Sequence, residues 1–422
     1  MKRVKLSAFL SFVTAVSLLG FSPSALAQGH VVTPKSSLPQ PPNANGEAVA
    51  RTHLRIYAPS PDKMTFGKAV QPNELPPFPG VFFETPASLG CVYRLVPNPI
   101  PGCNPTATTE NPSGGGRVIA VVEAFDNPTA QADLNVFSAQ FGLPPGTVTV
   151  VYANGSQPPI DPTGGWEVES STDIQWAHAT APGAQIIVVE APDALFGDLL
   201  TAAFVAGNLV SAAGGGEVSM SWGIGEFPQE TLVDPVFTAP HVVYVASTGD
   251  VPGVEYPSTS PNVVSAGGTT VSRDANTGNF IFENTWQDTG GGVSSVEPRP
   301  KFQDFVRYVV GNWRGTPDVS FDSNPNTGAW VYDTNPVIGV GWYIVGGTSL
   351  AAPSWAGIIN AAGGFRNSSV DENNDIYRHL FFNGDDFHDI VFGNCGFNAG
   401  TFAFPGYDLC TGIGSDKGLR GK

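Results

Sequence analysis

Short runs of apolar and β-branched residues alternate with longer stretches of helical periodicity along most of the chain. The first such pair is a predicted strand over 117–124 and a predicted helix over 130–141. The pattern then predicts strands over 148–151, 185–190, 217–221 and 241–247, and helices over 166–179 and 198–211. Such alternation is typical of a parallel sheet.

Several predicted strands are apolar at every position rather than at every second one. The runs IIVV at 186–189 and VVYV at 242–245 are examples, and this is expected where helices cover both faces of a sheet. The 50 glycines and 38 prolines predict long shaped loops. We therefore expect an α/β fold, with a doubly wound, mostly parallel sheet and helices on both faces.

The N-terminal residues have the order of an export signal. A basic start at Met1–Lys5 is followed by an apolar stretch over 6–21 and by Ala25-Leu26-Ala27. We expect cleavage after Ala27, a secreted or periplasmic protein, and no membrane contact after the signal is removed. Residues 28–84 are rich in Pro, Asn and Ser, so we expect an extended leader or short propeptide before a compact domain over 85–422.

The formal charge of -17 makes nucleic acid and anionic membranes unsuitable partners. An excess of carboxylates repels itself less in acid, which favours an acidic working environment, although the charge could also serve solubility alone. We expect a monomer.

The four cysteines form two pairs that are close in sequence, Cys91 with Cys103 and Cys395 with Cys410. Two short-loop disulfides are the simplest pairing in an exported chain, and other connectivities stay open. The chain has no Cys-x-x-Cys spacing, which argues against a cysteine metal cluster.

The candidate nucleophile is Ser349, in the run GGTSLAAP at 346–353. The small residues that follow, 350–362, predict a helix packed on the sheet, with Ser349 at its N-terminus. Backbone N–H groups and the helix dipole would then lie where an oxyanion forms. Pro353 is compatible with the first turn of this helix. The alternative is that Ser349 only caps the helix.

A serine nucleophile needs a base, and none of the six histidines lies in a His-Gly-Thr run. His30 and His53 fall in the leader, and we interpret the others as ordinary surface or core residues. Glu169 and Asp173 are four residues apart, so a helix would place both on one face. One could accept the serine proton while the other orients it. The alternative is a solvated helix face.

Asp250 follows the apolar run 242–247 and is expected at the carboxyl edge of the sheet, where open α/β sheets bind ligands. A protonated Asp can donate a hydrogen bond to an oxyanion, whereas an ionised one repels it. This role predicts activity in acid. The alternative is an Asp that only forms a turn.

With these motifs the chain resembles the sedolisin family of serine-carboxyl peptidases, which has a subtilisin-like fold and a Glu-Asp-Ser triad. Besides the run at Ser349, the matching segments are DIQWAHA at 173–179, APGA at 181–184, VSMSWG at 218–223, GGGVS at 290–294 and TPDVS at 316–320. The resemblance implies that Ser349 is the nucleophile, Glu169 the general base, Asp173 its orienter and Asp250 the oxyanion-stabilising acid. It also matches Glu123 and Trp222 to residues that extend the catalytic network in some members of the family. Glu167 is an alternative candidate for the general base.

The segments FHDIVFG at 387–393 and FPGYD at 404–408 are similar to the calcium site of the family. By position, one structural Ca²⁺ would take side-chain oxygens from Asp389 and Asp408 and carbonyl oxygens from Ile390, Phe404 and Gly406. The family often has Gly at the place of Phe404. The alternative is a pair of turn aspartates.

The sequence thus predicts a secreted, acid-active serine-type endopeptidase of proteins or peptides, with tripeptidyl-peptidase activity as a variant. A catalytically silent, calcium-stabilised exported binding protein is the alternative, and an ordinary subtilisin lacks its histidine motif. Members of the family usually carry a large folded pro-domain, and residues 28–84 are too few and too polar to form one.

Overall fold

The computed structural model describes residues 30–58, 76–77, 80–382, 385–396 and 401–422. The predicted export signal and its cleavage site lie outside these residues, as does part of the predicted leader. Within the described part of the chain, no helix is long and apolar enough to span a membrane.

The elements are numbered along the chain. The helices are α1 (Pro86–Val92), α2 (Ala130–Phe141), α3 (Gly165–Thr180), α4 (Phe196–Ala212), α5 (Arg307–Val310), α6 (Thr348–Ala362) and α7 (Ser369–Phe382). The strands are β1 (His30–Val32), β2 (Arg51–Thr52), β3 (Arg55–Ala58), β4 (Val118–Ala124), β5 (Val148–Tyr152), β6 (Gln185–Ala191), β7 (Gly216–Met220), β8 (Trp222–Gly225), β9 (Val242–Ser247), β10 (Glu255–Tyr256), β11 (Val264–Arg273), β12 (Phe280–Thr285), β13 (Gly292–Pro298), β14 (Trp313–Thr316), β15 (Val319–Asp322), β16 (Ala329–Asn335), β17 (Gly339–Gly346), β18 (Phe387–His388) and β19 (Ser415–Asp416).

The central sheet has the strand order β5-β6-β4-β7-β9-β11-β15-β19-β18, and β12 pairs with β11 at one side. The pairs from β5 to β19 are parallel, whereas β12 and β18 are antiparallel additions. The predicted strands and helices from 117 to 247 are all present, with ends that differ by at most two residues. The predicted mostly parallel sheet is therefore confirmed.

Side chains of the central strands point alternately into two hydrophobic cores. On β4, Ile119 and Val121 pack into the core that contains residues of α3 and α6. Ala120 and Val122 face the other side and pack with residues of α4. Helices therefore cover both faces, which explains why these strands are apolar at every position.

The described part of the leader is integrated into the domain by backbone pairing. Strands β1 and β3 belong to a sheet of order β1-β3-β17-β16, and β2 pairs with β8 in a second small sheet. The first helix, α1, begins with a capping box at Thr85, whose side chain accepts a hydrogen bond from the N–H of Ser88. The leader thus reaches the sheet edge from which α6 starts.

Both expected disulfides are formed, Cys91–Cys103 and Cys395–Cys410. They close loops with sequence separations of 12 and 15. Cross-links of loops this short typically contribute about 3 kcal/mol of stability.

Candidate active site

Ser349 lies in the first turn of α6, where β17 passes directly into the helix. Gly347 connects the two elements with a φ of 93°, a conformation that residues with a side chain rarely adopt. A methyl group added at Gly347 would lie 2.1 Å from the carbonyl oxygen of His53 and 2.6 Å from Oδ2 of Asp250. This turn therefore requires glycine, and it brings two oxygen atoms close to the start of the helix.

Pro353 lies inside α6, beyond its first turn, so the prediction that it belongs to the first turn was wrong. A proline at this position removes the N–H that would bond to the carbonyl of Ser349. The hydroxyl of Ser221 lies 3.3 Å from that carbonyl oxygen. The hydroxyl of Ser221, between β7 and β8, therefore lies beside the carbonyl that lacks its helical donor, while its proton is donated to Asp173.

Three buried carboxyl groups meet behind Ser349. Glu169 and Asp173 lie one turn apart on α3, and Glu123 lies at the end of β4; all three are at most 1% exposed. Burial, and then the charges of Asp173 and Glu169, raise the pKa of Glu123 well above its ordinary value, and a hydrogen bond to Asp173 adds to the rise. Burial raises the pKa of Asp173 to about 8, although Ser221 donates to its Oδ1 at 2.9 Å. The titrations of the three groups are therefore linked, and we call Glu123, Glu169 and Asp173 the carboxyl cluster.

Glu169 is the member of the carboxyl cluster that interacts with Ser349. Burial, and then the charge of Asp173, raise its pKa well above the ordinary value, while the hydroxyls of Ser349 and Thr52 partly oppose this rise. Neither carboxyl oxygen of Glu169 forms a hydrogen bond of normal geometry with a described residue. The hydroxyl of Ser349 instead donates to the carbonyl of Ser221 at 3.4 Å. The serine and the carboxyl group are thus neighbours that do not yet share a proton.

Asp250 lies in the turn after β9 and contacts the first residue of α6. Its Oδ1 accepts hydrogen bonds from the N–H and the hydroxyl of Thr348, at 2.8 and 3.1 Å. Its Oδ2 lies 3.2 Å from the guanidinium of Arg55. Burial raises the pKa of Asp250, although the charges of Arg55 and His53 act in the opposite direction. Asp250 is therefore at the predicted sheet edge, where a basic residue of the leader holds it.

Glycines at 290–292 support the turn that carries Asp250. The N–H of Gly290 donates to the carbonyl of Gly249 at 2.7 Å. A methyl group added at Gly290 would lie 2.1 Å from the carbonyl oxygen of Thr248. The glycines of the GGGVS segment therefore allow its backbone to pack closely against the turn that carries Asp250.

The leader crosses the front of Ser349 in an extended conformation. Strand β2 pairs antiparallel with β8, and β3 pairs antiparallel with β17. Between them, the N–H of His53 lies 3.2 Å from the carbonyl oxygen of Ser221 and 3.1 Å from Oγ of Ser349. The carbonyl of His53 accepts a hydrogen bond from the N–H of Ser349 at 3.0 Å. The peptide bond between His53 and Leu54 is therefore presented to Ser349.

The side chain of His53 occupies a small polar pocket. Its Nδ1 lies 2.6 Å from Oγ of Ser247, and its Nε2 lies 3.0 Å from Oε2 of Glu255. Arg51, two residues earlier, forms an ion pair with the same carboxylate. No role for Arg51, Arg55 or Glu255 was predicted from the sequence, and His53 was assigned only to the leader. The available signal was a basic residue at every second position, 51, 53 and 55.

Two other predicted site residues lie outside the carboxyl cluster. Oε1 of Glu167 accepts a hydrogen bond from the N–H of Asp161 at 2.8 Å, so this side chain stabilises the loop before α3. The indole N–H of Trp222 donates to the carbonyl of Val122 at 3.0 Å. Trp222 contributes to the site through its backbone, which pairs with Thr52 of the leader.

The predicted calcium ligands lie around one loop. Oδ2 of Asp389 accepts a hydrogen bond from the N–H of Gly406 at 2.9 Å, and Oδ2 of Asp408 one from the N–H of Phe404 at 3.4 Å. Burial raises the pKa of Asp389, and it raises that of Asp408 to about 7. A cation would offset the cost of charging both groups. Among the described residues no cluster of three or more acidic, His or Cys side chains suits a metal. Oδ1 of Asp408 also accepts hydrogen bonds from the N–H groups of Cys410 and Thr411, at 2.8 and 2.9 Å. The two carboxylates are oxygen donors of the kind that calcium prefers.

The fold and the site define a subtilisin-like protein in which a serine at a helix N-terminus is accompanied by carboxyl groups instead of a histidine base. Sedolisin from Pseudomonas, solved with two molecules of pseudo-iodotyrostatin, has a TM-score of 0.66 and 22% identity over 80% of this chain and 96% of its own. Sphericase has a TM-score of 0.50 and 18% identity over 79% of this chain and 99% of its own. These likenesses show the fold.

Sequence relatives give the family. Kumamolisin from Bacillus sp. (strain MN-32) is 31% identical over 344 residues, which are 74% of this chain and 60% of kumamolisin. Sedolisin from Pseudomonas sp. (strain 101) is 32% identical over 188 residues, which are 40% of this chain and 29% of that protein. The chain thus spans less than two thirds of the length of these relatives, and no family model matches it. The chain belongs to the sedolisin family of serine-carboxyl peptidases, as its motifs predicted.

The buried carboxyl groups predict a protein that is most stable in acid. Burial raises the pKa of Asp173, Glu190 and Glu372 to about 8. Their contribution to stability is fully present below the unfolded pKa of about 4 and is lost as the pH rises through the folded value. We expect urea unfolding to give a free energy that falls by several kcal/mol between about pH 4 and pH 8, since one pKa unit corresponds to about 1.4 kcal/mol.

A Glu190→Gln variant should lose less stability over this range, whereas Asp304→Asn, at an exposed side chain, should behave as the wild type does. A free energy of unfolding that is larger at pH 8 than at pH 4 would contradict the explanation.

Proposed function

We propose that the protein is an acid-active serine-carboxyl peptidase that hydrolyses peptide bonds through an acyl-enzyme on Ser349. One observation carries the proposal: a peptide group of the chain itself lies in the cleft, with the carbonyl of His53 hydrogen-bonded to the N–H of Ser349 at 3.0 Å. A substrate bound in the same way would place its carbonyl carbon beside the serine hydroxyl.

In the proposed first step, Oγ of Ser349 attacks the substrate carbonyl while Glu169 accepts the serine proton. The C–N bond then breaks, the proton passes to the leaving amine, and an ester on Ser349 remains. Water hydrolyses this ester with Glu169 again acting as base. Asp173 and Glu123 are positioning residues in this scheme, because their protonation states determine the charge beside Glu169.

Asp250 is the proposed donor to the oxyanion. The carbonyl oxygen of His53 already receives the N–H of Ser349, and Oδ2 of Asp250 faces the same turn at Gly347. With Arg55 in place, the carboxylate of Asp250 is held by an ion pair. Protonation in acid weakens this pair and turns Asp250 into a hydrogen-bond donor, because a protonated carboxyl carries one O–H.

The leader is the proposed internal inhibitor and first substrate of this site. With the leader in place, Glu169 has no exposed surface, and burial is the largest cause of its raised pKa. Departure of the leader would admit water and lower the pKa of Glu169 towards its ordinary acidic value, so that the base ionises more readily in later turnovers than in the first cleavage. Cleavage between His53 and Leu54 would therefore both vacate the cleft and activate the enzyme.

The path of the leader favours an endopeptidase. The chain enters the cleft through β2, passes Ser349, and leaves through β3, so residues are bound on both sides of the presented bond. Described residues also continue upstream of β2 to His30 without an end near the cleft. The proposed substrates are accordingly proteins or long peptides rather than only free N-termini.

The proposed setting is outside the cytoplasm, as the N-terminal signal predicts, and the two disulfides suit an oxidising compartment. The proposed structural calcium ion would be held by Asp389 and Asp408, with carbonyls of Ile390, Phe404 and Gly406. When bound, it would neutralise the two carboxylates and fix the loop that contains them.

The nucleophile can be tested with two serines of the same helix. Ser349→Ala should reduce digestion of denatured casein at about pH 4 by at least roughly a thousandfold, because the acyl-enzyme cannot form. Ser354→Ala is the matched control, since Ser354 is buried in α6 and its hydroxyl donates to the carbonyl of Leu350 within the same helix. Full activity of Ser349→Ala would exclude the mechanism and favour a silent scaffold protein.

Calcium removal should lower thermal stability, because the carboxylates of Asp389 and Asp408 would lose their counter-ion. We expect chelator-treated protein to melt several degrees lower, and Asp408→Asn to melt low with or without chelator. Asp385→Asn, at a fully exposed side chain, should respond as the wild type does. An unchanged melting temperature after metal removal, verified by elemental analysis, would contradict the site.

A further inference from the structure

Two basic side chains of the leader converge on one buried carboxylate beside Ser349. Arg51 and His53 are two residues apart on an extended segment, so their side chains project from the same face. Both contact Glu255: Arg51 by an ion pair, and His53 through Nε2 at 3.0 Å from Oε2. Glu255 is only 4% exposed.

The pocket around the imidazole is built by the domain, not by the leader. Ser247 forms its floor at the end of β9, with Oγ 2.6 Å from Nδ1 of His53. Gly223 on β8 forms one wall, because a methyl group added there would lie 3.0 Å from Oε2 of Glu255 and 3.0 Å from Cε1 of His53. Gly249 forms another, since its added methyl group would lie 3.0 Å from Oε1 of Glu255. The imidazole is therefore enclosed by residues of the domain, with one carboxylate beside it.

The negative charge of Glu255 is paired with basic side chains of the leader while the leader fills the cleft. Both ion-pair partners of Glu255 among the described residues, Arg51 and His53, belong to the leader. Burial alone would raise the pKa of Glu255, yet His53 and then Arg51 hold it below its ordinary value. When the leader leaves, the carboxylate loses both of these counter-charges, and a substrate that covers it again without a cationic group would bury an unpaired charge, which is costly.

We propose that Glu255 and Ser247 select histidine or another basic residue immediately before the scissile bond, and that Glu255 also reads a second basic residue two positions earlier. The inference rests on the proposed peptidase function and names its substrate class. Substrates would carry the pattern basic-any-basic before the cleaved bond, as the leader does at 51–53. A histidine in a peptide is protonated in acid, so the pattern is fully charged where the enzyme is proposed to work.

The test uses the full chain after acid activation and synthetic peptides with the sequence of residues 47–58. The peptide with His53→Gln should be cleaved with a kcat/KM about 10- to 100-fold lower than the unchanged peptide, which is the usual effect of losing a buried hydrogen bond to a charged group. The peptide with His53→Arg should stay within about tenfold of the unchanged one. Arg51→Gln should have a smaller effect, about 3- to 10-fold, because Arg51 is 18% exposed.

The enzyme variant Glu255→Gln should reduce the preference for His over Gln to about threefold or less, because the kcat/KM of the His peptide falls more than that of the Gln peptide. Glu110→Gln is the matched control, because Glu110 contacts Asn98 on an exposed surface, and it should keep the full preference. If Glu255→Gln fails to fold, the preference of the wild-type enzyme across the peptides decides alone.

The outcomes separate the inference from the function on which it rests. Cleavage of all peptides at similar rates would overturn the basic-residue subsite and leave the peptidase function standing. Absence of cleavage of every peptide and of denatured protein would instead overturn the peptidase function. A preference for basic residues that persists in Glu255→Gln would show that another group reads them and would overturn the role of Glu255.

Discussion

The hydrogen bond from the N–H of Ser349 to the carbonyl of His53 is the contact on which the rest of the site depends. It joins the first turn of α6 to the leader at 3.0 Å, and the strand pairings of β2 with β8 and of β3 with β17 hold the leader in register on either side. A one-residue slip would turn Arg51 and His53 away from Glu255 and Arg55 away from Asp250. The strand register of the leader therefore determines both its ion pairs and the position of its peptide bond at Ser349.

Burial of carboxyl groups is the physical basis of the proposed activity in acid. The carboxyl cluster consists of Glu123 on β4 and of Glu169 and Asp173 on α3, and burial is the largest cause of the raised pKa of each member. A histidine base would be protonated and inactive at low pH, whereas carboxyl groups can still exchange a proton there. Asp250 benefits from the same condition, since only its protonated form can donate to an oxyanion.

The sequence predicted those parts that depend on local pattern. Continuous apolar runs such as Ile186–Val189 predicted buried strands, and the spacing of Glu169 and Asp173 predicted a shared helix face. The small residues after Ser349 predicted a helix with the serine at its N-terminus. The sequence could not show where the leader lies, because β2 and β3 are too short for periodicity to detect and pair with strands far away in the chain. For the same reason Glu255 looked like an ordinary acidic residue, and Pro353 was placed one turn too early.

The most direct test of the account is the N-terminus of the full chain after incubation in acid. Mass spectrometry and N-terminal sequencing of wild-type protein held at about pH 4 should find a new N-terminus at Leu54, and Ser349→Ala under the same conditions should keep the bond between His53 and Leu54 intact. Cleavage of that bond at the same rate in Ser349→Ala, or an intact bond in wild-type protein that digests casein, would contradict the central claim.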